Sequence, residues 1–395
     1  MYDAVLVRYG EIGLKGANRG FFESILIKNI RLALKSENGA DVYTTSGRIL
    51  VKTDGNERKI MSLLTKVFGI VSLSPVIKVD ADMESFMVAA QQLINDSINA
   101  KTLRVSCRRA DKKFPVTSPE VSRILGSKLL DTFPHLKVDL HNPDITVSVE
   151  IRSDDSLVYA ETIAGPGGMP VGCSGKGLLL LSGGLDSPVA GWMAMKRGIK
   201  VAAVHFFSFP YTGERSKKKV VDLAEKIAVY NQNDMELLVV NFTSIQETIW
   251  KHCPEKFRVT IMRRMMLRIT EKIAAREGAL AVITGESVGQ VASQTLESMS
   301  VIGQACSILQ LKPLVGMDKS EIIDRAHQID TYDISILPFE DCCSLFVPRH
   351  PATRPVLKQV IQAEAGIDWE ILIEQAVEEV EKIHLDAASE LEYLD

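Results

Sequence analysis

The chain has 395 residues, of which 46% are hydrophobic and 24% are charged, and its formal net charge is -4. This length suggests two or three domains, each with its own core. The six cysteines are far too few for a disulfide scaffold, and no stretch approaches the roughly 20 apolar residues of a membrane span. The amino terminus has no basic run followed by an apolar core, so we expect no signal peptide and a cytoplasmic location.

The charge is unevenly distributed along the chain. Taken whole, the value of -4 argues against a nucleic-acid binder. Residues 364–395, however, contain eleven acids and one base, Lys382, so residues 1–363 carry a net charge of +6. The sequence therefore combines a mildly basic main part with an acidic tail. We expect this tail to be a solvated helix or a segment whose charge disfavours binding of wrong partners.

The first part of the chain is predicted to be a small α+β unit. A short apolar run at residues 4–7 predicts a strand. Apolar residues then recur every three or four positions from Phe22 to Ala33, which predicts a helix that buries one stripe. Later elements of this unit are predicted as a strand at 48–51, a helix at 59–68 and a strand at 76–79.

A second α+β unit follows. Leu103, Val105 and Cys107 alternate with polar residues, which predicts a strand. A helix is predicted at 118–131, and alternating apolar residues that end at Ile151 predict a further strand.

Six basic side chains fall within thirteen residues of this second unit. They are Lys101, Arg104, Arg108, Arg109, Lys112 and Lys113. Such a cluster could neutralise RNA phosphates, and the neighbouring Phe114 could stack on a base. A solvated edge strand explains the same pattern, because lysines commonly protect sheet edges. The local sequence leaves both interpretations open.

Residues 163–177 contain six glycines and two prolines, which predicts a linker or loop. The Gly-Lys pair at 175–176 resembles part of a Walker motif. That motif requires Ser or Thr after the lysine, and Gly177 stands there instead. We therefore reject a Walker nucleotide site.

Beyond this segment, apolar strands alternate with helical segments. The strands are predicted at residues 178–181, 201–206, 237–240 and 279–283. This pattern predicts an α/β domain with a parallel sheet covered on both faces. Ligands of such sheets bind at the carboxyl ends of the strands, so chemistry is expected in the residues just after each strand.

The first of these strands is followed at 182–187 by Ser-Gly-Gly-Leu-Asp-Ser, and Pro188 then opens a helix. Two glycines let the backbone approach a phosphate, while the serines and the helix amino terminus supply hydrogen-bond donors. Asp186 would repel a bare phosphate, so a role in holding Mg²⁺ or orienting a nucleotide is expected. An ordinary strand-to-helix turn is the alternative explanation.

This motif resembles the PP-loop of the ATP pyrophosphatases, which cleave ATP between the α and β phosphates. Further segments that narrow the resemblance are His205-Phe206, Arg263-Arg264, Gly285-Glu286-Ser287, residues 290–295, residues 312–319 and Glu340-Asp341-Cys342-Cys343. Over essentially the full chain, the sequence resembles the tRNA 4-thiouridine synthetases, a sulfurtransferase family that is also linked to thiamine thiazole formation.

The resemblance implies a domain organisation. It consists of a ferredoxin-like domain at 1–56, an RNA-binding THUMP domain at 57–162, the Gly/Pro-rich linker at 163–177 and a PP-loop catalytic domain at 178–395. The basic cluster falls in the THUMP part, which favours RNA binding over the edge-strand interpretation.

The resemblance also implies which residues form the site. Catalytic roles fall to Asp186, Lys319 and Cys342, the last of which matches the family's reactive cysteine. ATP contacts are expected from Leu180, Leu181, Ser182, Gly183, Gly184, Asp186, Ser187, His205, Phe206, Arg263, Gly285 and Gln294. No iron-sulfur cluster or other bound metal site is expected, because Cys253 stands alone without a Cys-x-x-Cys pair. Alternatively, Lys319 caps a helix with Glu321 and Cys342 is inert.

The implied reaction is ATP-dependent transfer of sulfur to a uridine of tRNA, with Mg²⁺ accompanying ATP. The uracil 4-oxygen leaves badly, so its attack on the α-phosphate would convert it into AMP and release pyrophosphate. Sulfur would then come from a persulfide on Cys342, either by direct attack or as sulfide released by a second thiol. The Lys319 cation could stabilise charge that develops on the phosphate or the oxyanion.

Several partners follow from the resemblance. Some family members carry a rhodanese-like domain that supplies sulfur, whereas this sequence ends at Asp395 without room for one. We therefore expect a separate sulfur donor, most simply a cysteine desulfurase, in addition to tRNA. The thiamine role would add a sulfur-carrier protein, and related dimers suggest a homodimer. No membrane partner is expected.

Two other functions use parts of the same pattern. A PP-loop ligase that acts on a small molecule explains the glycine loop, and an RNA-binding protein with a regulatory nucleotide site explains the loop and the basic cluster. Neither gives a reason for the Asp-Cys-Cys segment at 341–343. Sulfur transfer to tRNA accounts for all three features.

Overall fold

The computed structural model describes residues 2–37, 40–45, 47–97, 99–153, 155–339 and 351–386. The chain divides into two units, Met1–Gly168 and Met169–Asp395. None of the described helices is long and apolar enough to cross a membrane.

The first unit combines a sheet with helices and two short 3-10 turns, Glu11–Leu14 and Gly16–Asn18. Its strands are β1 (Ala4–Tyr9), β2 (Val42–Thr45), β3 (Arg48–Lys52), β4 (Ile70–Val79), β5 (Thr102–Arg109), β6 (Lys137–Val138), β7 (Ile145–Ile151), β8 (Ser156–Tyr159) and β9 (Ile163–Ala164). Its helices are α1 (Arg19–Ala33), α2 (Glu57–Leu64), α3 (Met83–Asn95) and α4 (Ser118–Thr132).

Strand β4 is shared by two halves of this sheet, whose order is β2-β3-β1-β4-β8-β7-β5-β6 with β9 also on β4. The first part of β4 pairs antiparallel with β1, and its end, from Ile77 to Val79, pairs antiparallel with β8. Helix α2 packs on both β1 and β4. The sequence placed the boundary between the ferredoxin-like and THUMP domains at residues 56 and 57. In the structure, α2 and most of β4 pack with the first half of the sheet, so that half extends beyond residue 57.

The second unit is built from strands separated by helices. Its strands are β10 (Lys176–Leu180), β11 (Lys200–Phe207), β12 (Asp234–Asn241), β13 (Ala281–Ile283), β14 (Leu309–Leu311) and β15 (Glu381–Asp386). Its helices are α5 (Asp186–Lys196), α6 (Glu214–Ala228), α7 (Thr243–His252), α8 (Arg258–Glu277), α9 (Leu296–Gly303), α10 (Lys319–Gln328), α11 (Tyr332–Ser335), α12 (Leu357–Glu364) and α13 (Trp369–Glu378). Short 3-10 turns lie at Glu255–Phe257 and Ala292–Gln294.

The predicted parallel sheet is confirmed. Its order is β14-β13-β10-β11-β12-β15, and every pair is parallel except β12 with β15. The strands are nearly continuous apolar runs, as expected for a sheet buried on both faces. Helix α8 is the central helix of the main core, with Ile261, Met265 and Ile269 fully buried against the sheet and helix α13.

The predicted linker at 163–177 is not loop at its ends. Ile163–Ala164 pairs with β4, and β10 already begins at Lys176. Both ends add backbone hydrogen bonds to an existing sheet, which explains why they are ordered as strands.

The expectation that the acidic tail, residues 364–395, is solvated is wrong for its described part, residues 364–386. Helix α13 buries Trp369 and Ile373 in the main core, and β15 pairs with β12 along its whole length. Glu364 is also buried, because Arg264 and Arg268 donate hydrogen bonds to its carboxylate. The apolar spacing of the helix, rather than the number of acids, decides its packing.

Candidate active site

The carboxyl ends of β10, β11 and β13 meet at one edge of the second sheet. The chain runs outward from β10 to β11 and β12, and then returns to the other side of β10 for β13. Open parallel sheets bind their ligands where the strand order reverses in this way. A cavity of about 240 Å³ lies at this point, between the loop after β10 and helix α8.

The cavity wall brings together most of the residues expected to contact ATP. Gly183 and Gly184 belong to the loop at 182–187 but are not part of the wall. The predicted residues that line the wall are Leu180, Leu181, Ser182, Asp186, Ser187, His205, Phe206, Arg263, Gly285 and Gln294.

The loop at 182–187 is held by hydrogen bonds between its two serines. Ser187 Oγ accepts from the backbone N–H of Ser182 at 2.9 Å, and Gly184 N–H donates to Ser182 Oγ at 3.3 Å. Helix α5 begins at Asp186, two residues before the predicted start. Pro188 therefore lies in the first turn, where a missing N–H leaves no helix hydrogen bond unmade.

Gly285 allows the loop after β13 to touch the loop after β10. A Cβ atom at Gly285 would lie 2.8 Å from both the carbonyl carbon of Asp186 and the backbone nitrogen of Ser187. Real Cβ atoms do not approach backbone so closely, so only glycine permits this contact. The contact places two separate sequence motifs at the same wall.

His205 and Phe206 are fixed at the end of β11. His205 is buried, and its Nδ1 lies 3.0 Å from the carbonyl oxygen of Leu181. The Phe206 ring packs edge-on against Phe242, with ring centroids 5.2 Å apart. These contacts hold both side chains in the wall without help from a ligand.

Glu286 organises two cations at the cavity. Arg263 donates to its Oε1 at 2.9 Å, and Lys312 donates to its Oε2 at 2.5 Å. Thr284 Oγ1 also donates to Oε2, and Arg263 donates a second bond to Ser293 Oγ. The arrangement fixes the direction of the Arg263 guanidinium on the cavity wall.

The charge on Glu286 survives burial because of these cations. Its exposed fraction is 3%. Burial alone would raise its pKa, but Arg263 and Lys312 outweigh that effect and hold the pKa of Glu286 below its ordinary value. Glu286 is therefore ionised at neutral pH and serves as an anchor rather than as a proton donor.

Lys319 and Asp186 form an ion pair beside the cavity, with Lys319 Nζ 2.7 Å from Asp186 Oδ1. Asp186 is the first residue of α5, and Lys319 is the first residue of α10. The helix α10 is capped by Asp318 and Glu321 rather than by Lys319. The structure thus brings together two of the three predicted catalytic residues.

The sequence reasoning missed part of the wall. The apolar members that it missed are Val204, Met266, Leu267 and Ile302, and the polar members are Thr284, Glu286 and Gln310. Helix α8 supplies Met266 and Leu267, which lie three and four residues after Arg263. Residues at this spacing share one face of a helix, so the position of Arg263 could have predicted them. Ile302 and Gln310 come from distant segments and carry no such signal.

The third predicted catalytic residue, Cys342, lies outside the described residues, as does Cys343. The described cysteines are free thiols. Burial raises the pKa of the Cys253 thiol to about 11, and Glu364 adds to the effect. Within the described ranges, no group of three or more His, Cys, Asp and Glu side chains is arranged to hold a metal ion.

Three sequence profiles match the chain. The profile described as thiamine biosynthesis protein (ThiI) matches residues 172–369, the ThiI ferredoxin-like domain matches 4–74, and the THUMP domain matches 80–161. A probable tRNA sulfurtransferase of Thermoanaerobacter sp. (strain X514) is 50% identical over 380 residues, which cover 96% of this chain and 99% of that protein. One of Halothermothrix orenii is 50% identical over 394 residues, which cover 98% and 99%.

The chain belongs to the tRNA sulfurtransferase family. It is therefore a sulfurtransferase enzyme with ferredoxin-like, THUMP and PP-loop domains. A solved structure agrees with this fold: a crystal structure of a 4-thiouridine synthetase–RNA complex with bound ATP matches with a TM-score of 0.89 and 37% identity. It covers 98% of this chain and 100% of that one.

The predicted RNA-binding residues lie on strand β5 of the THUMP domain or in the residues that directly flank it. Lys101, Arg104, Arg108, Lys112 and Lys113 are exposed. Arg109 differs from these, because its guanidinium donates to the carbonyl oxygens of Phe114 at 2.8 Å and Val116 at 3.2 Å. The five exposed basic side chains are accessible to a polyanion. Arg109 instead stabilises the loop that follows β5.

The structure adds two details on the basic cluster. Strand β5 pairs with β7 along most of its length, whereas β6 covers its other side only at Thr102 and Leu103, so Arg104–Arg109 lie at an edge of the described sheet. Phe114 packs against the domain core, with its ring 6.0 Å from that of Phe86. Phe114 is therefore partly buried, so one part of its ring packs on the core and only the remainder is accessible to a base.

Proposed function

We propose that this chain transfers sulfur from a persulfide on Cys342 to a uridine of tRNA, in an ATP-dependent reaction that gives 4-thiouridine. The observation that carries the proposal is the convergence of the 182–187 loop, Arg263 and Gly285 on one cavity at the switch point of the sheet. Membership of the tRNA sulfurtransferase family supplies the reaction class.

ATP fits this cavity by chemistry. The loop at 182–187 and the start of α5 offer N–H and hydroxyl donors to phosphate oxygens. Leu180, Met266 and Leu267 offer an apolar wall to a purine ring. Gln294 is 7% exposed, and its Oε1 is buried without a hydrogen-bond partner among the described residues. A buried acceptor of this kind requires a donor, which a nucleotide carries.

Asp186 is the candidate to hold Mg²⁺ beside the phosphates. Two carboxylates line the cavity, Asp186 and Glu286. The oxygens of Glu286 already accept hydrogen bonds from Arg263, Lys312 and Thr284. Hard divalent cations bind carboxylate oxygens and phosphates together, which supports the assignment to Asp186. Lys319 would then turn from Asp186 toward the phosphates or the developing oxyanion.

The first chemical step is adenylation of the base. The uracil 4-oxygen attacks the α-phosphorus, the bond to pyrophosphate breaks, and N3 of the base releases its proton. The carbonyl thereby becomes an AMP ester, from which AMP is a good leaving group. Arg263, fixed by Glu286, and Lys319 supply positive charge at the phosphates as pyrophosphate departs. The fixed guanidinium needs little reorganisation during the step.

The second step delivers sulfur. The terminal sulfur of a Cys342 persulfide attacks C4, and AMP leaves with the original oxygen. A second thiolate then attacks the Cys342 sulfur, which forms a disulfide and releases the other sulfur on C4. N3 takes up a proton, and the base becomes the thiocarbonyl. Sulfide released from the persulfide by that thiol is the other route, and Cys343 is a candidate for the thiol.

The partners follow from this chemistry. A cysteine desulfurase would transfer a sulfur atom to Cys342 to form the persulfide. The exposed Lys and Arg side chains on and beside β5 would neutralise tRNA phosphates. We also propose a cytoplasmic homodimer and a second role in thiamine thiazole formation, with a sulfur-carrier protein as acceptor. The thiamine proposal is supported by the family description alone.

Reconstitution tests the main proposal. Purified protein, unmodified tRNA, ATP, Mg²⁺, cysteine and a cysteine desulfurase should yield 4-thiouridine by mass spectrometry, with AMP and pyrophosphate. Asp186→Ala should stop pyrophosphate release. Thiolation without ATP would refute the adenylation route, and nucleotide-dependent tRNA binding without any 4-thiouridine would favour a regulatory nucleotide site instead.

A further inference from the structure

A second cavity lies beside the ATP cavity and has no role in the account above. It has a volume of about 380 Å³ and lies between the start of α8 and the 3-10 turn Ala292–Gln294. Its apolar walls come from Val259, Val291, Ala292, Pro351 and Ala352.

The two cavities share a wall. Arg263 and Gln294 line both of them. Arg263 is held at this wall by Glu286 and by Ser293, which itself lines the second cavity. Gln294 is buried at the same wall, and its Oε1 lacks a hydrogen-bond partner among the described residues. A ligand in either cavity would meet the same two side chains.

The far wall of the second cavity is fixed by hydrogen bonds. The backbone N–H of Ala352 donates to the carbonyl oxygen of Lys256 at 3.0 Å, and Thr295 Oγ1 donates to the carbonyl oxygen of Thr353 at 2.5 Å. Pro351 and Ala352 are also the first described residues after the segment that contains Cys342. The wall is therefore an anchored part of the fold that begins nine residues after Cys342 in the sequence.

We infer that this second cavity receives the target uridine after it has been extruded from the tRNA. The inference rests on the proposed function, because the uracil must reach the ATP α-phosphate and the Cys342 sulfur in turn. Enzymes that modify a base in folded RNA take it out of its stack into a pocket. The second cavity shares Arg263 and Gln294 with the proposed ATP site, so a base held there lies next to the nucleotide.

The lining matches a pyrimidine nucleotide. The apolar side chains can cover the faces of a flat ring, while Thr260 and Gln294 offer polar groups to its edge. Lys256 is exposed at the same cavity and can pair with a flanking phosphate. A different cavity, formed by residues 211–216 with Pro338 and Phe339, shares no lining residue with the ATP cavity and does not meet the requirement.

The reaction product provides a direct test, because 4-thiouridine forms crosslinks to groups in contact with it under near-ultraviolet light. The full-length wild-type protein would be irradiated with tRNA that contains 4-thiouridine at the target position, and the crosslinked peptides would be mapped by mass spectrometry. We expect crosslinks to residues 256–260, 291–294 or 351–352. Crosslinks confined to other parts of the chain would overturn the assignment.

A cavity-filling variant gives the second test. Ala292→Phe should slow 4-thiouridine formation by about a hundredfold, since a base misplaced by about 1 Å already costs that much. Its ATP affinity and overall tRNA affinity should stay within about threefold of wild type, because Ala292 does not line the ATP cavity and most RNA affinity comes from phosphate contacts. The matched control is Leu296→Trp, which enlarges an exposed side chain outside both cavities.

The outcomes separate this inference from the proposed function. If wild type forms no 4-thiouridine, the proposed function fails, whatever the variant does. If wild type is active and Ala292→Phe is equally active, the cavity does not hold the uridine. A variant that loses ATP affinity in parallel with activity would make the cavity an extension of the nucleotide site and would also overturn the inference.

Discussion

Lys319 Nζ donates a hydrogen bond to Asp186 Oδ1 at 2.7 Å, across 133 residues of sequence. The lysine side chain is 47% exposed and the aspartate 26%. Ion pairs at this exposure contribute at most about 1 kcal/mol to stability. Lys319 is also not needed as a cap, because Asp318 and Glu321 close the start of α10. We therefore interpret the contact as positioning of a cation beside the cavity that we propose to bind ATP.

Replacement of Lys319 should separate catalysis from stability. Lys319→Ala should slow adenylation of tRNA by about 10²–10³-fold, the usual cost of losing one donor that stabilises transition-state charge. The free energy of unfolding should change by less than about 1 kcal/mol. Single-turnover pyrophosphate release and urea titration measure the two quantities. Lys358→Ala, at an exposed lysine of α12, is the control and should leave both unchanged; equal adenylation rates in the two variants would contradict the role.

Glu286 should make the second unit sensitive to acid. Its folded-state pKa lies below the ordinary value, so its stabilisation is complete above about pH 4.3 and is lost as the pH falls through the folded-state pKa. Glu286→Gln should lower the free energy of unfolding by about 3 kcal/mol at neutral pH, because two cations lose their shared partner. The gap between wild type and variant should narrow below pH 4.3.

Tryptophan fluorescence during urea titration can measure this effect, because Trp192, Trp250 and Trp369 all lie in the second unit. Glu297→Gln, at an exposed carboxylate on α9, is the matched control and should change little. A gap that stays constant from pH 7 to pH 4 and below would show that Glu286 is not ionised in the folded protein.

The local motifs explain why many residues that line the first cavity, the proposed ATP site, could be named from the sequence. Residues 180–187 are contiguous, and a glycine loop between an apolar strand and a helix is typical of an anion site at the edge of a parallel sheet. The partners of Glu286 and Lys319 could not be predicted, because each pair joins segments brought together only by the tertiary fold. A one-dimensional pattern indicates which residues are polar, but not which of them meet.

The acidic tail shows the opposite failure. Its acids predicted solvation, yet Glu364 is buried between two arginines and Trp369 packs in the core. Charge was counted over the whole segment, whereas burial is decided by the few apolar side chains on one helix face. For this segment, periodicity was the more informative property.

Cys342 should be required for sulfur transfer but not for adenylation. Cys342→Ser should abolish 4-thiouridine formation while tRNA-dependent pyrophosphate release continues, because a hydroxyl cannot carry a persulfide. Cys306→Ser is the control, since burial raises the pKa of the Cys306 thiol and makes it a poor nucleophile. Mass spectrometry of the tRNA measures the product. Normal thiolation by Cys342→Ser would refute a persulfide on this residue.

Arg108 and Arg109 should have different roles despite being adjacent. Arg108 is exposed, so Arg108→Ala should weaken tRNA binding several-fold and reduce the slope of affinity against salt by about 1. Arg109→Ala should instead remove two hydrogen bonds to backbone carbonyls and lower the local stability of residues 110–117 by about 1–3 kcal/mol. Salt-dependent binding and hydrogen exchange of those amides distinguish the two. Identical salt slopes for wild type and Arg108→Ala would favour the alternative interpretation, in which the cluster is a solvated surface that does not contact RNA.

Gly285 should tolerate no side chain, because a Cβ atom there would lie 2.8 Å from the backbone of Asp186 and Ser187. Gly285→Ala must push the loop after β13 away from the loop at 182–187, which should lower stability by about 1–3 kcal/mol. It should also weaken ATP binding, because both loops line the cavity. The control is Gly316→Ala, where the added Cβ meets no atom within 4 Å. Titration with a fluorescent ATP analogue measures affinity, and urea titration measures stability. Unchanged affinity in a destabilised Gly285→Ala protein would mean that the contact between the loops supports the fold and that ATP does not depend on it.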